Sequence, residues 1–378
     1  MTNRQRLLTT LSGGIPDCVP VAPDFSNMIP ARRTGRPFWD LYLYNQIPIW
    51  DAYIDCAKHF DIDSVMDGYM PLIFPDEIAP VDPTRQRFIV HRDGRMIVTQ
   101  WSWIDNGVRR WHDCVDVYYV ADPPTYDVLP HRVQLDQVPA RWEPLEGVKS
   151  VDRGPSGFAR LKAKLGDQGL VGAWLTNSCA CFDEEGIYRY YDNPDKHELW
   201  AHQRIEAMEK RFARIMKMEV KPDFLCVGGS GALVYQTLEM FLKVSFPAVK
   251  RGIELATQHG MMTHIHACGP ETALVKLMAQ ETTLTVIDPL EIPPMGDCVL
   301  RDLKQKYGHK LTLKGNLHTT DVMLRGTADD VRRASRHAID DAKEGGRFIL
   351  STGDQCGRDT PDVNLHAMVE TARTYGRY

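Results

Sequence analysis

Short apolar runs alternate with stretches of helical periodicity along most of this chain. Each run has the length of a buried β-strand, and most are rich in Val, Ile, Leu and Phe. The runs occupy residues 19–25, 64–67, 170–175, 224–227, 261–267, 284–288, 311–317 and 348–352. Eight repeats of strand and helix are typical of a (β/α)₈ TIM barrel, an α/β fold. The pattern therefore predicts a single barrel domain over residues 1–378.

The segments between the later runs have the periodicity of amphipathic helices. Residues 237–259 place apolar side chains at helical spacing, beginning with Leu238, Phe241 and Leu242. Residues 329–344 lie between Gly326-Thr327 and Gly345-Gly346, which favour a helix start and a helix end. Residues 364–375 carry one apolar stripe and predict a helix that closes the chain.

One stretch, residues 85–119, departs from this alternation. Asp93-Gly94 separates two segments of alternating apolar and polar residues, which indicates a β-hairpin. The pattern predicts an inserted antiparallel β subdomain after the second strand, from about residue 85 to about residue 150. Such an insertion is either a lid or partner platform, or only a structural cap.

The chemistry-bearing residues cluster after two of the predicted strands. The segment His264-Ile265-His266-Ala267-Cys268 ends the fifth run, and residues two apart on a strand point the same way. Cys356 follows the eighth run, at the same end of a barrel. One imidazole and two thiolates are a known zinc ligand set with an open fourth position. The spacing alone is a weak signal, since such residues are also common in cores.

Composition narrows the class of protein further. The formal net charge is −5, which argues against a nucleic-acid partner. No run approaches the roughly 18 apolar residues that span a bilayer, so we expect no membrane partner. The polar amino terminus lacks a signal-peptide core, and we expect a cytoplasmic protein. Nine cysteines in a long chain are expected as buried thiols or ligands rather than disulfides, and Cys179-Ala180-Cys181 is expected to hold ordinary thiols.

Several motifs resemble the uroporphyrinogen decarboxylase superfamily, over most of the chain except residues 85–150. They are GIPDCVPV at 14–21, GNL at 315–317 with Gly326-Thr327, GRFILS at 346–351, and NLHAMVE at 364–370. The resemblance implies a (β/α)₈ barrel. The arginine-rich motif of the true decarboxylases is missing, because residues 32–40 read RRTGRPFWD. The zinc- and corrinoid-dependent methyltransferases of the superfamily carry the HxC…C set.

The resemblance implies that His266, Cys268 and Cys356 bind Zn²⁺, and that a corrinoid protein supplies cobalamin as a partner. Family members can add an acidic ligand after the sixth strand. Glu291 is the first candidate here and Asp288 the second, although either could cap a loop or pair near Arg301.

Two directions of methyl transfer are open. The favoured one is O-demethylation, in which an aryl methyl ether gives its methyl group to the Co(I) of the corrinoid protein. The alternatives are transfer from methyl-corrinoid to a zinc-bound thiol, a metal-free uroporphyrinogen-type decarboxylase, or a binding protein without catalysis. The expected mouth residues are apolar and aromatic, which suits an aryl ether. They are Phe25, Met28, Tyr69, Met70 and Trp174, with Asn316 as a further substrate contact. His318 is the candidate proton donor, or a loop histidine without that role.

Overall fold

Short strands and helices alternate along most of the chain, as the apolar pattern predicted. A computed structural model describes residues 1–66, 68, 70–78, 82–181 and 183–378. The strands described are β1 (Ser64–Met66), β2 (Gln86–Arg92), β3 (Met96–Asp105), β4 (Val108–Tyr119), β5 (Thr125–Val128), β6 (Glu143–Pro144), β7 (Gly169–Trp174), β8 (Phe224–Gly228), β9 (Met262–His266), β10 (Val286–Asp288), β11 (Thr312–Leu317) and β12 (Phe348–Thr352).

The helices lie mostly between the parallel strands. They are α1 (Asn3–Leu11), α2 (Met28–Arg33), α3 (Phe38–Tyr42), α4 (Ile49–Phe60), α5 (Pro155–Leu165), α6 (Glu184–Asp192), α7 (His197–Met216), α8 (Leu238–Met240), α9 (Phe246–Gln258), α10 (Thr272–Glu281), α11 (Leu300–Tyr307), α12 (Ala328–Ala342) and α13 (Asp362–Thr374). No helix in the described part of the chain combines the length and apolarity needed to cross a bilayer.

Seven strands form one parallel sheet in the order β1-β7-β8-β9-β10-β11-β12. Strands β8, β11 and β12 are buried along their whole length, because α9 and α12 cover them on the outside. Parallel strands joined by helices make a TIM-barrel-like α/β fold. The pairing of β9 with β10 sets His266 beside Asp288. The carboxyl ends of all seven strands therefore meet at one edge.

The first apolar run, residues 19–25, does not form the predicted first strand of the barrel. It contributes an isolated parallel bridge between Val21 and Leu350, and the Asp63 N–H donates to the Val21 carbonyl at 2.8 Å. Pro20 and Pro23 have no N–H to give to a ladder, which accounts for the short pairing. The structure thus shows a seven-stranded, TIM-barrel-like sheet rather than eight full strands.

The predicted helix over residues 237–259 is interrupted. Helix α8 passes into a π-helical turn (Phe241–Ser245) before α9 begins. Pro247 lacks the N–H that would continue an α-helical ladder into α9, which accounts for the break. The two later predicted helices correspond to α12 and α13.

The insertion is an antiparallel sheet of five strands in the order β5-β4-β3-β2-β6. Strands β2 and β3 pair on either side of Asp93-Gly94, where the sequence predicted a hairpin. Residues 120–124 link β4 to β5 and bring the insertion to the carboxyl edge of the parallel sheet, where the Phe38 N–H donates to the Val120 carbonyl at 2.8 Å. Its position over that edge matters for the site.

Candidate functional site

A cavity of about 580 Å³ opens at the carboxyl ends of the parallel strands. His266, the last residue of β9, lies in its wall, and Trp174 ends β7 beside it. The lining consists of Asp24, Ser26, Asn27, Met28, Tyr42, Ile49, Gly68, Pro71, Pro123, Pro124, Tyr126, Trp174, Ser230, His266 and Gln355. Most of this lining is apolar or aromatic, and no Lys or Arg belongs to it among the described residues.

A buried charge network lies behind His266. One carboxylate oxygen of Asp288, Oδ1, lies 2.8 Å from His264 Nε2 and 3.1 Å from His266 Nδ1. The other oxygen accepts from the Lys314 ammonium. Burial alone would raise the pKa of Asp288, but Lys314 and the two imidazoles outweigh it and hold the pKa well below its usual range. Asp288 is therefore an anion that fixes the orientation of the His266 ring.

A second carboxylate faces the other nitrogen of His266. Asp354 Oδ1 lies 3.6 Å from His266 Nε2. Burial, together with the nearby Asp24 and Glu291 carboxylates, raises the pKa of Asp354 to about 6. His266 opposes this shift. Asp354 is thus the carboxylate at this nitrogen of His266, and the Asp24 and Glu291 carboxylates repel it electrostatically. A cation placed there would offset their mutual repulsion.

The two predicted cysteine ligands follow strands at the same edge. Cys356 is fully buried in the segment after β12, and its backbone N–H donates to the Asp24 carbonyl at 2.9 Å. Burial raises the pKa of the Cys356 thiol to about 12, so the thiol is neutral in this state. Cys268 is partly exposed, two residues beyond the end of β9. Both thiols are free.

Glu291 is buried and holds the turn that carries Cys268. Its Oε2 accepts from the Gly269 N–H at 2.5 Å. Arg301 pairs with Asp341 at 2.7 Å, so it is not the partner of Glu291 or Asp288. In this structure Glu291 therefore caps a loop, as the alternative to metal ligation predicted.

Two other predicted site residues make local contacts and are not part of the described cavity lining. The side-chain N–H of Asn316 donates to the Leu290 carbonyl at 3.0 Å. His318 Nδ1 accepts from the Thr320 and Asp321 N–H groups at 3.2 and 3.0 Å, and so caps a π-helical turn. These contacts give both residues a structural role in this state.

The predicted substrate contacts separate into two groups. Met28 and Trp174 line the cavity, and a Cβ at Gly229 would lie 2.7 Å from the Trp174 ring, so this loop needs a glycine to pass the indole. Phe25 and Met70 are instead buried in the core, and Phe25 packs on the Phe60 ring at 5.4 Å between centroids. Tyr69 lies outside the described residues.

The side chains at this site are of the types that bind zinc, but they are not arranged around a common point. No three His, Cys, Asp or Glu side chains within the described ranges are close enough together to hold a metal ion. His266 nevertheless has the hydrogen bonding of a zinc-ligating histidine, because Nδ1 is held by a carboxylate and Nε2 faces the cavity. The residues that could join it are Cys268, Cys356, Asp354 and Glu291. Ligand chemistry and position therefore fit, while the cysteines are not gathered around His266.

Sequence reasoning missed Asp24, Asp354 and Lys314. A signal existed for each. Asp24 lies near the end of the first apolar run, and Asp354 lies two residues after the eighth, at the edge where strand ends converge. Lys314 is a lone cation inside a buried apolar run, and such a lysine needs a buried partner.

The insertion forms part of the cavity wall. Pro123 and Pro124 contribute to the lining from the segment that joins β4 to β5, and Tyr126 contributes from β5 itself. Arg358, from the segment that carries Cys356, donates to the Ala121 carbonyl at 2.7 Å and to Asp122 at 2.6 Å. These hydrogen bonds form a clasp that connects the wall to the Cys356 segment, and a role of the insertion as a lid or partner platform stays a prediction beside that of a structural cap.

Replacing Arg358 with methionine is expected to loosen residues 120–126. Amide hydrogen exchange of these residues should become faster, because the clasp loses both hydrogen bonds to the wall. Global stability should fall by less than about 1 kcal/mol, since Asp122, the acidic partner in this pair, is 59% exposed and solvent screens the pair. Arg325→Met, at a side chain 74% exposed, is the matched control. Unchanged exchange at residues 120–126 would contradict the clasp.

Fold and site together define an α/β protein of the TIM-barrel-like class with a histidine- and cysteine-bearing site at its strand ends. Residues 223–375 match the sequence model described as Uroporphyrinogen decarboxylase (URO-D). A curated relative is the methylcobamide:CoM methyltransferase MtbA of Methanosarcina mazei, 27% identical over 139 residues. That match covers 36% of this chain and 37% of the relative's own length. A solved structure, a methyltransferase from Methanosarcina mazei, aligns over 99% of both chains with a TM-score of 0.56 and 16% identity.

These two sequence matches support the resemblance of this chain to the uroporphyrinogen decarboxylase superfamily and its corrinoid methyltransferase branch. The resemblance inferred from the sequence motifs is thereby confirmed. The solved structure, at its low identity, supports the fold alone. The matched family region contains His266, Cys268, Glu291 and Cys356.

Proposed function

We propose that this protein is a zinc-dependent methyltransferase that takes a methyl group from an aryl methyl ether and passes it to the Co(I) of a corrinoid protein. The methyl group leaves the ether oxygen, and a carbon–cobalt bond forms on the partner's corrinoid. The ether oxygen leaves as a phenolate, which then takes up a proton. The similarity to a methylcobamide methyltransferase supports methyl transfer that involves a corrinoid.

The observation that carries the choice of substrate is the lining of the cavity. Trp174, Tyr42 and Tyr126 supply aromatic surface, and Met28 and Ile49 add aliphatic surface. Such walls suit a flat, uncharged ring. Because no Lys or Arg belongs to the described lining, a sulfonate or a set of carboxylates would enter without a counter-charge. This disfavours a charged thiol such as coenzyme M, and equally a porphyrinogen with its several carboxylates.

His266, Cys268 and Cys356 would hold the zinc, with Glu291 as a further candidate. Bound there, zinc would supply Lewis acidity toward the leaving oxygen. The chain's own contribution is orientation and charge. Asp288 holds His266 through Nδ1, and Lys314 holds Asp288 in turn. His318 stays the candidate proton donor, although its Nδ1 is engaged as a cap in this state.

The experiment compares both directions of transfer with free cobalamin as the probe. Methyl transfer from 2-methoxyphenol to cob(I)alamin is followed by its absorbance change, and methylation of 2-mercaptoethanesulfonate by methylcobalamin is followed in parallel. We expect the ether reaction to be at least about tenfold faster, which corresponds to about 1.4 kcal/mol of preference. Faster methylation of the thiol would overturn the proposed direction.

A charge placed in the wall tests the substrate argument itself. Met28→Lys introduces a cation into a lining that has no Lys or Arg among the described residues. It should lower turnover of the ether and improve use of the sulfonate thiol by about tenfold, because an ion pair then replaces an uncompensated charge. Met28→Leu preserves the apolar wall and is the control. An equal response of both variants would show that Met28 does not face the substrate.

A further inference from the structure

A second cavity, of about 400 Å³, lies away from the strand-end site. It is formed by α6, α7, the segment that follows β7, and Val244 of the π-helical turn. Its lining is Ala180, Cys181, Gly186, Arg189, Tyr190, Trp200, Gln203, Arg204, Ala207 and Val244. Cys181, Tyr190 and Val244 are buried, whereas Arg189, Gln203 and Ala207 are exposed. The cavity therefore has an apolar floor and a polar, solvent-facing rim.

Arg204 is a partly buried cation without a carboxylate. Its Nη2 donates to the Asn177 carbonyl at 2.5 Å and reaches the Cys179 carbonyl at 3.4 Å. Its Nε is buried and has no hydrogen-bond partner. In the described part of the chain no acidic side chain forms an ion pair with it. Burial lowers the pKa of Arg204, as expected of a guanidinium whose charge is uncompensated.

Two further hydrogen-bond donors line the same cavity. The Arg189 guanidinium lies over the Trp200 ring at 5.9 Å, and it forms no ion pair with a described acid. The Tyr190 hydroxyl is buried without a partner. The neighbouring acid, Asp183, is engaged at the start of α6, where it accepts from the Gly186 N–H at 2.7 Å. No Asp or Glu is in the described lining, so these donors line the cavity without an acidic acceptor.

We propose that this flank cavity binds an organic anion with an apolar body. The anionic oxygens would pair with Arg204 and Arg189, and the Tyr190 hydroxyl would complete the hydrogen bonding. The apolar body would rest on Cys181 and Val244 and beside the Trp200 indole. A guanidinium that is buried without a counter-ion is unfavourable, and a bound anion removes that cost. This inference does not depend on the proposed methyl transfer.

Benzoate, a small carboxylate on an apolar ring, is the probe. Isothermal titration of the full chain at constant ionic strength should show saturable binding of one benzoate. Benzyl alcohol has the same ring without the charge and should not bind measurably. Inorganic phosphate has the charge without the ring and should bind at least tenfold more weakly than benzoate. Equal binding of benzyl alcohol, or tighter binding of phosphate, would overturn the proposed ligand class.

Variants locate the binding. Arg204→Met should weaken benzoate binding at least tenfold, and Arg189→Met should weaken it several-fold. Since Arg204 also holds two backbone carbonyls, its loss could disturb the fold. Arg189 is exposed and contacts only the Trp200 ring among the interactions described, so Arg189→Met keeps the test decisive. Arg325→Met is the charge-matched control, because Arg325 is an exposed arginine between β11 and α12, outside the cavity lining. Benzoate affinity unchanged in Arg189→Met and Arg204→Met would overturn the site.

Discussion

Cys356→Ser is expected to abolish both zinc retention and methyl transfer. The variant keeps the size of the side chain but loses the thiolate, the donor that zinc prefers over a hydroxyl. Zinc binds complete sites in small peptides with a free energy of about 10–16 kcal/mol. One ligand's share is roughly 3–4 kcal/mol, so its loss should lower zinc affinity by a few hundredfold. Metal analysis of protein purified without chelator should give about one zinc per chain for the parent and little for the variant.

The control for this experiment is Cys56→Ser. Cys56 is as buried as Cys356 but lies on α4, among apolar neighbours. It should cost some stability and leave zinc content unchanged, which separates ligation from the general cost of a buried hydroxyl. Zinc absent from the parent protein, or full activity of the parent without zinc, would end the zinc proposal. The cysteines would then be core residues.

Asp288→Asn is expected to destabilise the fold by about 3–5 kcal/mol, because it leaves the Lys314 ammonium buried without its counter-charge. Both side chains are almost inaccessible to solvent, and Asp288 also holds the two histidines of β9. Urea denaturation followed by circular dichroism measures the loss. The double variant Asp288→Asn with Lys314→Met should recover part of it, since the unpaired charge is removed.

A surface ion pair provides the comparison for this prediction. Glu239→Gln breaks a pair with Lys243 on an exposed helix face and should change stability little, because solvent already screens that pair. An Asp288→Asn variant as stable as Glu239→Gln would contradict the description of Asp288 as the buried anion of the site. A double variant less stable than Asp288→Asn would show that Lys314 contributes mainly by packing.

The sequence predicted the order of elements well wherever one chemical signal dominated. Seven of the eight apolar runs are strands, since continuous burial selects Val, Ile, Leu and Phe whatever the neighbours are. The hairpin at Asp93-Gly94 followed from local turn preference. The strand predicted for the first run was wrong, because its prolines can be buried but cannot donate the N–H groups that a complete β-ladder needs. The π-helical turn before Pro247 likewise depends on backbone hydrogen bonding that apolar periodicity does not report.

The sequence likewise predicted some features of the candidate site and not others. His266, Cys268 and Cys356 could be placed at one edge because parallel strands share a direction. Phe25 and Met70 could not be told apart from Met28 and Trp174, because all are apolar residues near strand ends and only packing decides which face a cavity. The sequence also could not predict that the cavity wall includes Pro123, Pro124 and Tyr126. Local sequence preferences do not specify where an inserted subdomain packs against the rest of the fold.

The sequence by itself therefore determined the family resemblance, the alternation of strands and helices, the inserted antiparallel sheet and the edge at which the candidate site residues lie. These features follow from local periodicity, turn residues and motifs. The tertiary structure alone decided that Asp288 links two histidines to Lys314, that the insertion walls the cavity, and that Arg204 has no acidic partner among the described residues. Such relations join residues that are distant in the chain, and their energies depend on burial and distance, which a linear pattern does not contain.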